Sequence, residues 1–394
     1  MNENEFELRL RDLILPHLIY LQRYSNGFSK RALKTLNRAL NDLQGQLASR
    51  LVKIEERGLD VGPTATKRLN TQIKEIRALV KDAYDVSTPA ILDELAELAE
   101  DEAAFTVKAI RSVKKSITDD TKPSRRTGTL KPVSKSGEAP TPTKPAKWVK
   151  LEVEFPTASP APTMVRSIVD TKVMSGKHLK AWADKLSTDT QNAVEAAIRD
   201  GMVQAKTTDE IVRDIIGSKR LGTTGVLDTS RRSAEALVRT AVSHIHNVAA
   251  QLSYAENDDV ITGWKYLSTL DNRTTIICVG LSGRVYSLGK GPIPPNHVRC
   301  RSICQPVTLT MRELGIDLDE GTPLTRASAD GPLAGDPTYD QWLKPKSPEL
   351  QDAMLGKTRA DLFRAGKLSL KDLVADDGRV LTLKQLRALH PDAF

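Results

Sequence analysis

Seven apolar residues, Leu33, Leu36, Leu40, Leu43, Leu47, Leu51 and Ile54, recur at intervals of three or four and make the firmest demand in this sequence. At 3.6 residues per turn they fall on one face of a long helix, and such a stripe must be covered. Leu69, Ile73, Ile76 and Val80 repeat the spacing, and Leu95, Leu98 and Phe105 continue it among Asp93, Glu94, Glu97, Glu100, Asp101 and Glu102. Thr88-Pro89 reads as an N-cap followed by proline at the first helical position, so a new helix is expected there. Residues 1–118 are therefore predicted as a helical bundle or antiparallel hairpin, whose stripes also offer a surface for self-association. Aromatic residues are only 4% of the chain, so its core must rest on Leu, Ile, Val and Ala, which favours helix packing.

The pattern stops at residues 119–163, where Pro, Ser, Thr and Lys dominate. Lys122, Arg125, Arg126, Lys131, Lys135, Lys144, Lys147 and Lys150 are opposed between 121 and 150 by Glu138 alone. Such a stretch cannot bury enough apolar surface to fold by itself and reads as a linker or arm. Its cations can neutralise phosphates without reading sequence, which suits nonspecific contact with double-stranded DNA; a solvated tether is a compatible reading.

Helical signals return at 164–255. Thr188 to Arg199 form a helical stretch expected to end at Gly201. Thr207 and Glu210 make a capping box ahead of Ile211, Val212, Ile215 and Ile216, with Gly217 as the stop. A further helix is expected from Arg231 to Tyr254. Residues 260–308 differ: Val260 to Leu267 is strand-like, Gly283-Arg284-Val285-Tyr286 follows a turn, and Gly289, Gly291, Pro292, Pro294 and Pro295 stiffen a loop. In the tail, Ser347-Pro348 opens a helix that Gly356 closes, and Thr382 with Gln385 caps another. The expected fold is α+β: mainly helical N-terminal and middle regions, a small loop-rich β unit near 260–308, and a loop-and-helix tail over 309–394.

The acidic start carries no basic n-region with an apolar segment, so no signal peptide is expected, and no apolar run reaches membrane-spanning length. The three cysteines cluster in one stretch, unlike a secreted disulfide scaffold, and point to a reducing cytoplasm. The net charge of +8 is compatible with a polyanionic partner.

Two clusters could carry chemistry. Cys278, His297, Cys300 and Cys304 are the number and type of ligands that tetrahedral zinc takes, although no CxxC knuckle is present. A Cys278–Cys300 disulfide and reduced structural thiols are the other readings. Asp271, Arg273 and His297, with Arg299 and Arg301 nearby, contain the residue types of a metal-dependent nuclease or transferase, but no nucleophile–base pair orders them, and Asp271-Asn272-Arg273-Thr274 equally fits a turn. No phosphate-binding glycine loop of the P-loop type occurs. His244 and His246 lie two apart on one helix, on different faces, and are expected to be surface or packing residues.

The run Arg239-Thr240…Asn247, Trp264, Thr269-Leu270-Asp271-Asn272-Arg273-Thr274…Cys278…Leu281-Ser282-Gly283-Arg284-Val285-Tyr286 continues through Gly291-Pro292-Ile293-Pro294-Pro295-Asn296-His297-Val298-Arg299-Cys300-Arg301-Ser302 to Pro306-Val307. It resembles the Mu F-like head-morphogenesis family of tailed-phage minor head proteins, with the specific signal between Arg239 and Val307 and a weaker lead-in from 164. The family pattern maps onto Asp271, Arg273, Cys278, Pro294, Pro295, His297, Cys300 and Arg301. Many members continue Cys-Arg-Cys, whereas here Arg301 is followed by Ser302-Ile303-Cys304. The resemblance implies a non-enzymatic virion protein, present in few copies near the portal. Its partners would be the portal protein and the major capsid protein, and it would aid head assembly and DNA packaging or ejection. It would be made in the host cytoplasm and end in the virion head.

Overall fold

The computed structural model describes residues 5–55, 63–120, 156–218, 220–309, 325–334 and 337–394. Two helices, α1 (Glu5–Glu55) and α2 (Pro63–Asp120), dominate the first third. At 1.5 Å per residue each is roughly 75–90 Å long. They run antiparallel: His17 meets Glu102, Arg31 meets Glu94 and Arg50 meets Glu75, one sequence rising as the other falls. Leu33, Leu36, Leu40, Leu43, Leu47 and Leu51 are all buried, as their spacing requires.

The expected break at Thr88-Pro89 does not occur, because α2 runs straight through Pro89. Proline costs an interior helix one backbone hydrogen bond, about 3 kcal/mol. Ala83 and Tyr84 before it and Leu95 and Leu98 after it are buried against the same neighbours, and keeping both sets on one axis outweighs that loss.

The chain re-enters the body through α3 (Pro162–Arg166) and α4 (Ile168–Thr171), followed by α5 (Leu179–Val203) and α6 (Thr208–Ile216). A short hairpin, β1 (Gly217–Ser218) and β2 (Thr223–Thr224), leads to α7 (Val226–Ala255). The Thr207/Glu210 capping box forms as expected. Gly201 does not stop α5, which continues to Val203. A Cβ there would lie 2.5 Å from Ile211 Cγ1, so this glycine serves the close approach of α6.

Next come β3 (Ile261–Leu267), α8 (Ile276–Leu281), β4 (Val285–Ser287) and β5 (Ile303–Thr308). The strands form an antiparallel sheet in the order β4-β3-β5. Gly263 lets β4 come close, since a Cβ on it would sit 2.4 Å from the Tyr286 carbonyl oxygen. A second hairpin, β6 (Thr325–Ser328) and β7 (Gly331–Ala334), precedes α9 (Tyr339–Leu343), α10 (Pro348–Leu355), α11 (Lys357–Arg364) and α12 (Leu383–Leu389). The capping residues expected at Ser347, Gly356 and Thr382 occupy those places. The fold is thus mainly helical α+β with a small antiparallel sheet.

The N-terminal hairpin closes no core of its own. Leu21 to Leu51 of α1 and Ile73 to Ala103 of α2 share one core with α3 to α6 and the first part of α7. Leu10 and Ile14 of α1 and Ala109, Ile110 and Val113 of α2 join Ala250 and Tyr254 of α7, the three-stranded sheet and the tail in a second. The boundaries expected near 118 and 308 therefore do not separate independent cores. The leucine stripe of α1, expected to offer a surface for self-association, is covered within the chain by α2, α6 and α7.

The seven basic residues assigned to DNA contact, Lys122, Arg125, Arg126, Lys131, Lys135, Lys144 and Lys147, lie outside the described residues. The chain is described again from Pro156, whose carbonyl accepts from Lys114 Nζ at 2.7 Å. Ala158 exchanges two hydrogen bonds with the Asn257 amide. Among the described residues no helix is long and apolar enough to cross a membrane.

Leu40 is fully buried between the hairpin and its cover. Leu40→Ala is expected to cost about 2–5 kcal/mol in chemical denaturation. A cost below about 1 kcal/mol would show that this stripe is not packed as described.

Candidate metal centre

The sheet and the loop that follows it bring the sequence motif together. β3 places Tyr266 inside the second core. The turn after it leads into α8, which carries Cys278, and Gly280 of α8 packs so tightly on Val374 that a Cβ would lie 2.4 Å from that side chain. The loop between β4 and β5 holds Pro294 and Pro295 buried, joined by a cis peptide, and presents His297 and Cys300. Arg299 sits in the left-handed region at φ 58. Its N–H donates to Thr240 Oγ1 of α7 at 2.9 Å, which ties the loop to the helix. The Ser268 hydroxyl donates to the Cys278 carbonyl and shares a hydrogen bond of 2.9 Å with Ser302.

Cys278 and Cys300 are buried with their sulfurs 3.6 Å apart, and His297 is half-buried beside them. Their ligand atoms lie within 4.8 Å of one another. Two thiolates bound to one zinc at about 2.3 Å would stand about 3.8 Å apart, so the sulfurs already have nearly the separation the ion imposes. They are also roughly 1.5 Å beyond disulfide distance, a gap that an oxidant would have to close. Tyr266 Oη hydrogen-bonds Cys278 Sγ at 3.1 Å and accepts from Asn296 Nδ2 at 3.1 Å.

The electrostatics favour one thiolate. The hydrogen bond from Cys278, with His297 beside it, holds the Cys300 thiol well below the ordinary thiol range despite burial. Giving that hydrogen bond, together with burial, raises Cys278. Burial alone would lower His297, but its hydrogen bond to the Cys300 sulfur, the charge on that sulfur and the Val298 carbonyl together outweigh this and raise it. A cation facing two sulfurs and an imidazole would meet a donor set of zinc type.

Cys304 does not join them, and the expected four-ligand set is corrected to three. It pairs with Tyr266 across the β3–β5 ladder, its N–H donates to Asn247 Oδ1 of α7, and its carbonyl accepts from Tyr254 Oη. Its thiol is fully buried beside Gln251, and burial pushes it far up. The departure from Cys-Arg-Cys thus moves the third cysteine onto the face that packs against α7.

Asp271 is buried and fully engaged. Its two oxygens pair with the Arg301 guanidinium at 2.6 and 2.9 Å. Oδ1 also accepts from the N–H groups of Arg273 and Thr274 and from the Thr274 hydroxyl, each at 3.0 Å. Arg273 contributes its backbone to this turn while its side chain is exposed. Among the described residues no hydrogen bond joins Asp271 to His297. Of the motif loop, Val298 reaches the largely apolar groove between α5 and α7 that Trp182, Leu186 and Leu237 line.

Sequence reasoning missed a second cluster. His246 is buried, not at the surface, and its Nδ1 lies 2.8 Å from Glu102 Oε2; His17 Nε2 approaches the same oxygen at 2.9 Å. His244 is the packing residue of the pair, and burial lowers its pKa to about 4. One signal was present: Glu102 falls at stripe spacing with Leu95, Leu98 and Phe105, and His17 with Leu10, Ile14 and Leu21. Polar residues at core positions are rare without partners. Against the models of known families, the curated proteins and the solved structures, the chain finds no match.

Two outcomes are expected. Cobalt added to chelator-stripped protein should give a thiolate-to-metal charge-transfer band, which Cys278→Ser or Cys300→Ser abolishes and Cys304→Ser leaves intact. For Asp271, burial alone would raise the carboxyl, but Arg301 and Thr274 hold it below its ordinary 3.8. A carboxylate depressed on folding stabilises above its unfolded value and loses that contribution as pH falls through the folded one. Asp271→Asn should therefore cost about 1–3 kcal/mol at neutral pH, and the gap to the wild type should narrow below about pH 3.8. A gap that stays constant from pH 7 to pH 2 would contradict the pairing.

Proposed function

We propose that this chain is a minor head protein of a tailed phage, associated with the portal or the capsid interior. In this reading it aids head assembly and DNA packaging or ejection, and it touches DNA without sequence preference through the basic arm. Its partners are the portal protein, the major capsid protein and double-stranded DNA, and it passes from the host cytoplasm into the virion head. The part it plays is structural, not catalytic.

The observation that carries this reading is how the motif residues are used. Asp271, Arg301, Cys278, Cys300 and the loop holding Pro294, Pro295 and His297 bond to one another and to α7. They lock a small sheet onto a long helix. A catalytic carboxylate needs an oxygen free for substrate or metal, whereas both oxygens of Asp271 are committed to Arg301 and its own turn. An interlocked unit of this kind suits a protein under mechanical load in a packed head. The run of cations between Lys122 and Lys150, opposed by Glu138 alone, suits a neighbour as densely charged as packaged DNA.

The test is a DNA-binding titration across salt concentrations. If six or more arm cations meet phosphates, affinity for any duplex should fall on the order of 10³-fold or more between about 50 and 200 mM salt. Deleting residues 121–150 should remove that dependence while the body stays folded. The purified protein should leave plasmid DNA uncut with Mg²⁺, Mn²⁺ or Zn²⁺ and should co-sediment with portal-containing proheads. Salt-independent binding would remove the arm from the proposal, and metal-dependent cleavage lost in His297→Ala would replace it with a nuclease.

A further inference from the structure

We propose that His17, Glu102 and His246 form a second metal site, for a divalent transition ion of the zinc type, that staples α1, α2 and α7 together. The site is independent of the Cys278–Cys300 unit and of the function proposed above.

The three residues are 85 and 144 positions apart in sequence and come from three different helices. Yet their ligand atoms lie within 4.8 Å of one another. His17 Nε2 is 3.1 and 2.9 Å from the two Glu102 oxygens, and His246 Nδ1 is 2.8 Å from one of them. Donors bound to a tetrahedral zinc at about 2.0–2.1 Å stand about 3.3 Å apart. The histidine–carboxylate distances therefore need to open by only a few tenths of an ångström to admit an ion, with the two ring nitrogens, within 4.8 Å of each other, converging on it.

Its chemistry also fits. Two imidazoles and one carboxylate are a recurring set for zinc and related ions, with one position left for water. The Glu102 side chain is 2% exposed and that of His246 8%, so the negative charge sits where water cannot screen it. A carboxylate so deeply buried is kept only with partners. The two imidazoles that stand beside it on α1 and α7 complete the set of ligand atoms.

The surroundings are those of a built site. Phe105 stacks on the His17 ring with centroids 3.5 Å apart and planes 12° off parallel, which fixes that ring's orientation. The His17 side chain is 13% exposed, the most open of the three, and gives the ion its entry and the water its place. The cluster lies near the boundary of the two apolar cores: His17 stands between Ile14 of one and Leu21 of the other, and Phe105, stacked on it, packs against the first, while Glu102 and His246 follow Ala99 and Ile245 of the second. An ion here would fix the register of the three helices that cross from one core to the other.

The experiment is a cobalt titration of the full chain after stripping with a chelator, with zinc as competitor. In a Cys278→Ser/Cys300→Ser protein we expect one tightly bound cobalt with d–d absorption and no thiolate charge-transfer band, and a rise in thermal midpoint on binding. His246→Gln and His17→Gln, which keep an amide donor towards Glu102, should each weaken that ion more than roughly 100-fold, since even changes outside the ligand shell cost about 10–100-fold. If one variant fails to fold by circular dichroism, the other decides. If the cysteine variant fails to fold, the wild type decides through a cobalt equivalent that lacks the thiolate band. A folded protein that binds no such equivalent, or a His246→Gln protein that binds it undiminished, overturns the site.

Discussion

Helix α7 has almost no side that faces water over its second half, and what must cover it places the rest of the molecule. From His244 to Gln251 every residue is buried. A helix apolar or engaged all round survives only inside a shell of other elements. The long hairpin supplies part of the shell, α5 and α6 another part, and the sheet with its tail the remainder. The polar residues on α7 show the same logic. Asn247 donates to the Ser302 carbonyl and accepts from the Cys304 N–H, and Tyr254 donates to the Cys304 carbonyl, so the first half of β5 is registered against the helix atom by atom.

That registration explains why the motif loop can be irregular without being loose. A loop rich in proline and glycine offers few backbone hydrogen bonds of its own. Here the bonds come from outside: Thr240 takes the Arg299 N–H, Arg301 reaches back to Asp271, and Asn296 reaches Tyr266. Arg284 does the same for the tail, donating to the carbonyls of Lys371 and Val374 and pairing with Asp376. Charged side chains are used as clamps between segments distant in sequence.

Local periodicity and end signals were legible in the sequence. The leucine stripe, the Thr207/Glu210 and Thr382/Gln385 boxes, the Ser347-Pro348 start and the first two strands of the β unit could be read because each is set within a few residues; β5 was not. The failures have one cause. Pro89 and Gly201 carry strong local signals, but packing partners on both sides of each kept the helix going. The expected domain boundaries follow the chain, whereas both apolar cores draw residues from before 118 and after 164. Cys304 was grouped with its sequence neighbours, although strand alternation sends it to the α7 face. His17, Glu102 and His246 were invisible as a set because only the tertiary fold makes them neighbours, even though each interrupts an apolar stripe.

Glu102 also bears on how the helices can part. The acid sits in the apolar stripe of α2 with its side chain 2% exposed, and its partners come from α1 and α7. A buried carboxylate without partners is costly. Parting α7 from the hairpin therefore takes away one partner of the acid as it exposes apolar surface, and both penalties fall on the same motion.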